Sequence, residues 1–304
     1  MRIYNKTLSD CECFQLQSAF DMTFEITVGL PGGYPKPGKN YPLLLVLDGS
    51  LTFATAFETV RAQSGLGGIE EIIVVGIDTP PDEGNAMRGL KRLRYLTPGC
   101  PQRGPHIEPV FQLYKEAVDQ LGWDFEDTFG GAADFLGFIE KNLMPVLSDR
   151  YAVAVDDIGL FGHSAAGAFA AYALFEDSQL LRRYLIGTFG TEWWDDIEAV
   201  EKAFVENQKS SSNRVARKVY HAVGGAELDE PASAQAGIGL PMLERLKDLK
   251  LPRIDITTHV FDGEDHASVI PHIIATGIRK LYGTGLGYAE GLTARLENDE
   301  TASL

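Results

Sequence analysis

Residues 158–167 read Ile-Gly-Leu-Phe-Gly-His-Ser-Ala-Ala-Gly. The apolar run at 158–161 predicts a buried strand, and the small residues over 165–175 predict a helix directly after it. A strand that enters a helix through so tight a turn pushes the side chain of Ser164 out above the edge of a sheet. The neighbours of Ser164 are small because strand and helix pass close together there. This segment therefore predicts an α/β fold with a nucleophile at the turn.

Other short apolar runs predict the rest of the sheet. Residues 20–28 alternate between apolar and polar side chains, which is typical of a half-buried strand. Residues 41–47 and 72–77 are continuously apolar and are each followed by an aspartate, as expected of strands buried on both faces of a parallel sheet. The remaining predicted strands are 184–189, 219–223 and 254–261.

Helices are predicted between these strands. Residues 132–151 carry apolar side chains at helical spacing, and Pro145 is expected to bend or end that helix. Two further helices are predicted at 241–249 and 268–282. Strands that alternate with helices imply crossover connections. We therefore expect one α/β domain over residues 1–304, with a mostly parallel central sheet flanked by helices.

Two segments fall outside this pattern. Residues 79–130 are long and rich in proline, glycine and arginine, so they are expected to form a loop or lid insertion. Residues 290–304 are charged and are expected to be a frayed tail.

Charge and composition exclude several classes of protein. The chain has 27 basic and 43 acidic residues, a net charge of −16, which opposes nucleic-acid binding. No apolar run reaches the roughly 18 residues of a membrane span, and no signal peptide is recognisable. Three cysteines are too few for a disulfide framework, and a Cys-x-Cys pair is a weak metal signal. We expect a cytoplasmic protein without a metal or other cofactor; the oligomeric state, a homo-oligomer included, is open.

A serine nucleophile needs a base, and His266 is the best candidate among the six histidines. His163 is expected to point away from the serine, whereas His221 and His259 lie in apolar strands and are expected to pack in the core. His266 follows the last predicted strand in a polar loop, where open α/β sheets place their chemistry. We therefore predict His266 as the general base.

An acid is expected between Ser164 and His266 in chain order. The segment after the strand at 219–223 offers Glu227, Asp229 and Glu230. Glu227 lies nearest the strand end and follows a Gly-Gly turn, so it is the first choice to orient the imidazole. Asp229 is the alternative, and a solvated acidic loop without a catalytic role remains a third interpretation.

Five segments resemble the esterase branch of the α/β-hydrolase superfamily, the group of enterochelin (ferric siderophore) esterases and esterase D-like hydrolases. They are YPLLLVLDG at 41–49, RYLTP at 94–98, ADFLGFIEKNLMPVLSDRY at 133–151, LFGHSAAGAF at 160–169 and GEDHASVIP at 263–271. One departure is Ala166, which stands where the usual G-x-S-x-G signature has its second glycine.

The resemblance implies an α/β-hydrolase fold and ester or lactone hydrolysis through an acyl-enzyme on Ser164, with His266 as base. The oxyanion would be held by the backbone N–H of Ala165, at the start of the helix, and by that of Gly49 or Ser50. The expected partner is a small-molecule ester or lactone.

Further residues are candidates for substrate binding. Arg88, Arg92 and Arg94 cluster with Lys91, and arginines of this region help hold an anionic ligand in siderophore esterases. Arg94 is the candidate of this cluster, and a solvated basic helix face is the alternative. Trp193 and Trp194 correspond to a tryptophan pair in the family and could stack on a flat acyl group or simply pack in the core.

Two other functions remain open at this level. An acyltransferase would use the same acyl-enzyme, with an alcohol or amine in place of water. A binding protein on a hydrolase fold would have lost its chemistry, although the presence of both Ser164 and His266 argues against such a loss.

Overall fold

All strands of the chain that the computed structural model describes belong to one sheet. The described residues are 8–104, 108–210, 215–229, 234–287 and 289–294. The strands, in chain order, are β1 (Cys11–Gln17), β2 (Thr23–Gly29), β3 (Tyr41–Leu47), β4 (Ile73–Asp78), β5 (Val153–Gly162), β6 (Leu181–Ile186), β7 (Arg217–Gly224) and β8 (Ile254–Phe261). Their spatial order is β1-β2-β4-β3-β5-β6-β7-β8. β1 and β2 are antiparallel to their neighbours, and every pair from β4 to β8 is parallel. The predicted mostly parallel sheet is confirmed.

Helices cover both faces of the sheet. They are α1 (Gly49–Gly65), α2 (Asn85–Leu96), α3 (Glu108–Leu113), α4 (Lys115–Leu121), α5 (Ala132–Phe138), α6 (Met144–Arg150), α7 (Ala165–Phe175), α8 (Ile197–Ser210), α9 (Gly225–Asp229), α10 (Ala234–Asp248) and α11 (Val269–Tyr282). α1 and α11 pack together on one face. α2, α5, α7, α8 and α10 contribute to the larger core on the other face.

Some elements differ from the sequence-based expectation. β1 was not expected, and its burial pattern explains why: its side chains are exposed or half-buried, so no apolar alternation marks it. The predicted helix at 132–151 is continuous to Arg150, but its centre at Ile139–Leu143 is a π-helix, which ends two residues before Pro145. The wider turn accommodates a proline, which lacks the N–H that an α-helix would use.

The described residues of the segment 79–130, which are 79–104 and 108–130, are largely helical. They contain α2, α3 and α4 together with two short 3₁₀ turns, and their apolar side chains belong to the main core. Leu90, Leu96 and Phe129 are almost completely buried. A role for this segment as a lid stays a prediction. In the tail, residues 289–294 form a short helix, and 295–304 lie outside the described residues.

The six parallel strands end at one edge of the sheet. β4 ends at Asp78, β3 is followed by Asp48, β5 by the Ser164 turn, β6 by Thr188, β7 by Glu227 and β8 by His266. These residues come from distant parts of the sequence, and the sheet alone makes them neighbours.

Candidate active site

The serine of the β5–α7 turn has an unusual backbone conformation. Ser164 has φ 62° and ψ −127°, a region that costs a residue with a Cβ about 1–3 kcal/mol. Its N–H donates to the carbonyl of Thr188, at 2.6 Å. Such strain persists because neighbouring structure holds it, and it is the geometry of a nucleophile elbow.

Small residues around this turn are required by close packing. A Cβ on Gly162 would lie 2.0 Å from the carbonyl oxygen of Ala166, and a Cβ on Gly167 would lie 2.9 Å from that of Thr188. Ala166 is fully buried, so its methyl group fits where the usual signature has glycine. The departure from the signature thus leaves the turn intact, with Gly167 providing the second close approach.

Two helices begin near the serine, α7 at Ala165 and α1 at Gly49. The first N–H groups of a helix have no acceptor within it, so they can bind a developing negative charge. Of the two residues expected after β3, Ser50 already donates its N–H to the carboxylate of Asp78, at 2.9 Å. Gly49 is therefore the better candidate of the pair for an oxyanion donor.

Glu227 and His266 are joined by a hydrogen bond. The Nδ1 of His266 lies 2.6 Å from Oε2 of Glu227. The other carboxylate oxygen accepts hydrogen bonds from Thr188 Oγ1, at 2.7 Å, and from the N–H of Gly224, at 2.9 Å. The carboxylate is only 2% exposed. Burial raises the pKa of Glu227, but these hydrogen bonds outweigh burial and hold its pKa below the usual value.

The alternative acids are less well defined. Asp229 ends α9, and its side chain lies outside the described part of the structure, as does Glu230. The contact between His266 and Glu227 is the arrangement expected for the first choice.

His163 also contacts His266, which the sequence-based reasoning missed. Its Nε2 lies 2.8 Å from the backbone oxygen of His266, and the two rings are 4.5 Å apart. The sequence predicts that this side chain points away from the serine; it is instead buried against His266. Burial, followed by the proximity of His266, lowers the pKa of His163 to about 4. Its position next to Ser164 in the sequence was the available signal.

The two histidines that lie in strands, His221 and His259, have different environments. His221 is fully buried, as expected, with Nδ1 3.0 Å from the carbonyl oxygen of Ile186. His259 is exposed, contrary to expectation, because β8 is an edge strand of the sheet.

The arginines of α2 divide between two places. Arg92 binds Asp48 through Nε and Nη2, at 2.6 and 2.7 Å, and Arg88 binds Asp78 at 3.0 Å. Asp48 follows β3 and Asp78 is the last residue of β4, at the edge that carries Ser164. Arg94 turns elsewhere: its guanidinium donates to the carbonyl of Phe129 and lines a surface groove whose lining does not include Ser164 or His266. Arg92 and Arg88 thus contact the sheet edge that carries Ser164, whereas substrate binding by Arg94 stays a prediction.

The two tryptophans also have different environments. Trp193 is 5% exposed and packs on Phe129, with ring centres 5.9 Å apart. Trp194 is half-buried and lines a cavity of about 270 Å³ together with Cys100, Glu192 and Asp195. Of the pair, only Trp194 is placed to meet a ligand from solvent.

The described ranges contain no cluster of three or more histidine, cysteine or acidic side chains that could hold a metal ion. None of the helices in those ranges is both long and apolar enough for a membrane crossing.

The chain is similar to siderophore esterases. It is 24% identical over 265 residues to the ferri-bacillibactin esterase BesA of Bacillus subtilis, covering 84% of each chain. It is 29% identical over 179 residues to the siderophore triacetylfusarinine C esterase of Aspergillus fumigatus, covering 57% of this chain and 52% of that relative. No protein-family model matches. These relatives confirm the resemblance to the siderophore-esterase branch and support a carboxylic ester hydrolase.

Solved structures share the fold. The BES protein from Bacillus cereus superposes with a TM-score of 0.74 at 24% identity, covering 93% of this chain and 99% of that one. The predicted α/β-hydrolase fold is confirmed.

Proposed function

We propose that this protein is a serine hydrolase that opens the ester or lactone bonds of a siderophore. The observation that carries the proposal is the 2.6 Å contact of His266 with the buried Glu227, at the sheet edge where the strained Ser164 stands. A buried carboxylate that orients a histidine in this way fixes its tautomer and stabilises its protonated form.

The reaction follows in two halves. The hydroxyl of Ser164 attacks the ester carbonyl while Nε2 of His266 takes the hydroxyl proton, and that proton passes to the departing alcohol. Water then attacks the acyl-enzyme with His266 again as base, which releases the acid and restores Ser164. Glu227 keeps its negative charge throughout, because its lowered pKa opposes protonation.

Two backbone N–H groups stabilise the negative charge that develops on the carbonyl oxygen. The N–H of Ala165 and that of Gly49 belong to the first residues of α7 and α1. Donors fixed by helices need no reorganisation as the charge forms, and the loss of one such donor typically costs a factor of about 100–1,000 in rate.

The substrate class rests on sequence similarity. The relatives are named for ferri-bacillibactin and triacetylfusarinine C, and two cationic side chains, those of Arg92 and Arg88, lie at the sheet edge that carries Ser164. Both guanidinium groups are paired with carboxylates, so they lessen the repulsion of an anionic ligand by the acidic chain rather than forming a strongly positive cleft.

The test is chromatography with mass detection on a panel of cyclic and linear siderophore esters, with and without ferric iron. Wild type is expected to release linear acids from at least one member, and Ser164→Ala to release none. Hydrolysis that persists in Ser164→Ala would refute the mechanism, whereas Ser164-dependent cleavage of simple aryl esters alone would refute the substrate class.

A further inference from the structure

We propose that His163 is a positioning residue that holds the backbone of His266 through a neutral imidazole donor. The proposal rests on the proposed function, because it assigns His163 a role through the base. The contact is specific: Nε2 of His163 lies 2.8 Å from the carbonyl oxygen of His266, with the two rings 4.5 Å apart.

This bond completes a closed ring of contacts around the site. The N–H of Ser164 donates to the Thr188 carbonyl, and the Thr188 hydroxyl donates to Glu227. Glu227 accepts from the His266 ring, the His266 carbonyl accepts from His163, and His163 is covalently bound to Ser164. The His266 loop is also held by the bond from the His266 ring to Glu227 and by the N–H of Ala226, which donates to the carbonyl of Glu264 at 3.0 Å. The bond from His163 differs from these because it holds the backbone of His266 itself.

The tautomer of His163 follows from its partners. A carbonyl oxygen can only accept, so the proton of the neutral ring must be on Nε2. In the described chain Nδ1 is buried without a hydrogen-bond partner, and it lies against Gly187, where a Cβ would come within 2.4 Å. A second proton on Nδ1 would be a buried, unpaired donor, which is costly.

The charged groups around His163 act on it in opposite directions. His266, when protonated, and Arg92 both disfavour a cation on His163, whereas Glu227 favours it; burial is stronger than any of them. The ring therefore stays neutral while His266 gains and loses its proton. A permanent donor that never competes for that proton suits a group that holds the base.

The test compares two variants of similar size, His163→Gln and His163→Met. The glutamine amide can replace Nε2–H as a donor to the His266 carbonyl, and the methionine thioether cannot. We expect kcat for ester cleavage to fall about tenfold further in the Met variant than in the Gln variant, with KM within about twofold, as suits one lost hydrogen bond. His221→Met, which removes a buried histidine–carbonyl bond away from the base, controls for general destabilisation.

Two outcomes would overturn the proposal. One is equal kcat in the Gln and Met variants, and the other is a loss in kcat that His221→Met reproduces at matched melting temperature. If fluorophosphonate does not label Ser164 in wild type, the proposed function fails instead, so the two failures are distinguishable.

A second measurement uses the wild-type chain and needs no turnover. Nitrogen-15 NMR of labelled histidines is expected to show His163 as the neutral Nε2–H tautomer from about pH 8 down to about pH 5.5. An Nδ1–H tautomer, or protonation of His163 near neutral pH, would contradict the assignment even if the variants fail to fold.

Discussion

Arg92 binds both carboxylate oxygens of Asp48, at 2.6 and 2.7 Å. Asp48 has the left-handed conformation, φ 54° and ψ 48°, and directly precedes the proposed oxyanion donor Gly49. A bidentate pair fixes the direction of a carboxylate as well as its distance. Helix α2 is thus tied to the turn that presents Gly49.

Arg92→Gln should therefore slow ester cleavage. Once Arg92 is replaced, Asp48 has lost its partner and is freer to leave the left-handed conformation. We therefore expect kcat to fall about tenfold or more. Lys91→Gln is the matched control, because Lys91 lies on the same helix but pairs with Glu83. Steady-state kinetics on one aryl ester measures both variants. Equal kcat values for the two would show that Arg92 does not hold the turn that presents Gly49.

Glu227→Gln should show how much the acid contributes. The amide keeps the size of the side chain but cannot stabilise a protonated His266, so we expect kcat to fall by about a hundredfold or more. Asp229→Asn, the alternative acid, should change kcat much less. Equal small losses in the two variants would instead indicate a serine–histidine dyad.

Acid should destabilise the fold through its buried histidines. The pKa values of His163 and His221 are each lowered to about 4 by burial, against about 6.5 in the unfolded chain. Between these values the unfolded chain binds more protons, so stability is fully present above about pH 6.5 and is lost as pH falls toward about 4. We expect the free energy of unfolding to change by about 2 kcal/mol per pH unit around pH 5.

Urea unfolding at several pH values measures this slope. His221→Gln should reduce it, whereas the exposed His259→Gln should leave it unchanged. A free energy of unfolding that is flat over this range in wild type would contradict neutral burial of the two rings.

The tryptophans should separate stability from binding. Trp193 is buried against Phe129, so Trp193→Ala should cost about 3–5 kcal/mol of stability. Trp194 lines the cavity beside Cys100, so Trp194→Ala should raise KM for aromatic esters more than for short alkyl esters. Calorimetry measures the stability of both variants, and kinetics on both ester classes measures KM. A selective rise in KM for aromatic esters in Trp193→Ala, with the loss of stability in Trp194→Ala instead, would place Trp193 in the binding site.

The sequence predicted the elements with strong local signals. The strand Tyr41–Leu47 and the helix Ala165–Phe175 have the predicted limits, because an unbroken apolar run and a run of small residues mark them. The pairing of Glu227 with His266 was also expected, since chain order and strand ends constrain it. Each of these predictions depends on residues close in sequence or on the general order of an α/β sheet.

The missed features depend on tertiary contacts. His163 was expected to face away because local turn geometry does not show what covers the turn; the loop after β8 does. Arg92 and Arg94 are two residues apart, and only the packing of α2 decides which of them reaches Asp48. The pattern of the sequence does not show which side chain will be contacted by a residue from a distant loop.

The central claim is that Ser164 is an activated nucleophile, and intact-mass spectrometry after exposure to a fluorophosphonate tests it most directly. We predict one covalent adduct on the wild-type chain and none on Ser164→Ala under the same conditions. An adduct that persists in Ser164→Ala, or a folded wild-type chain that forms no adduct, would contradict the account.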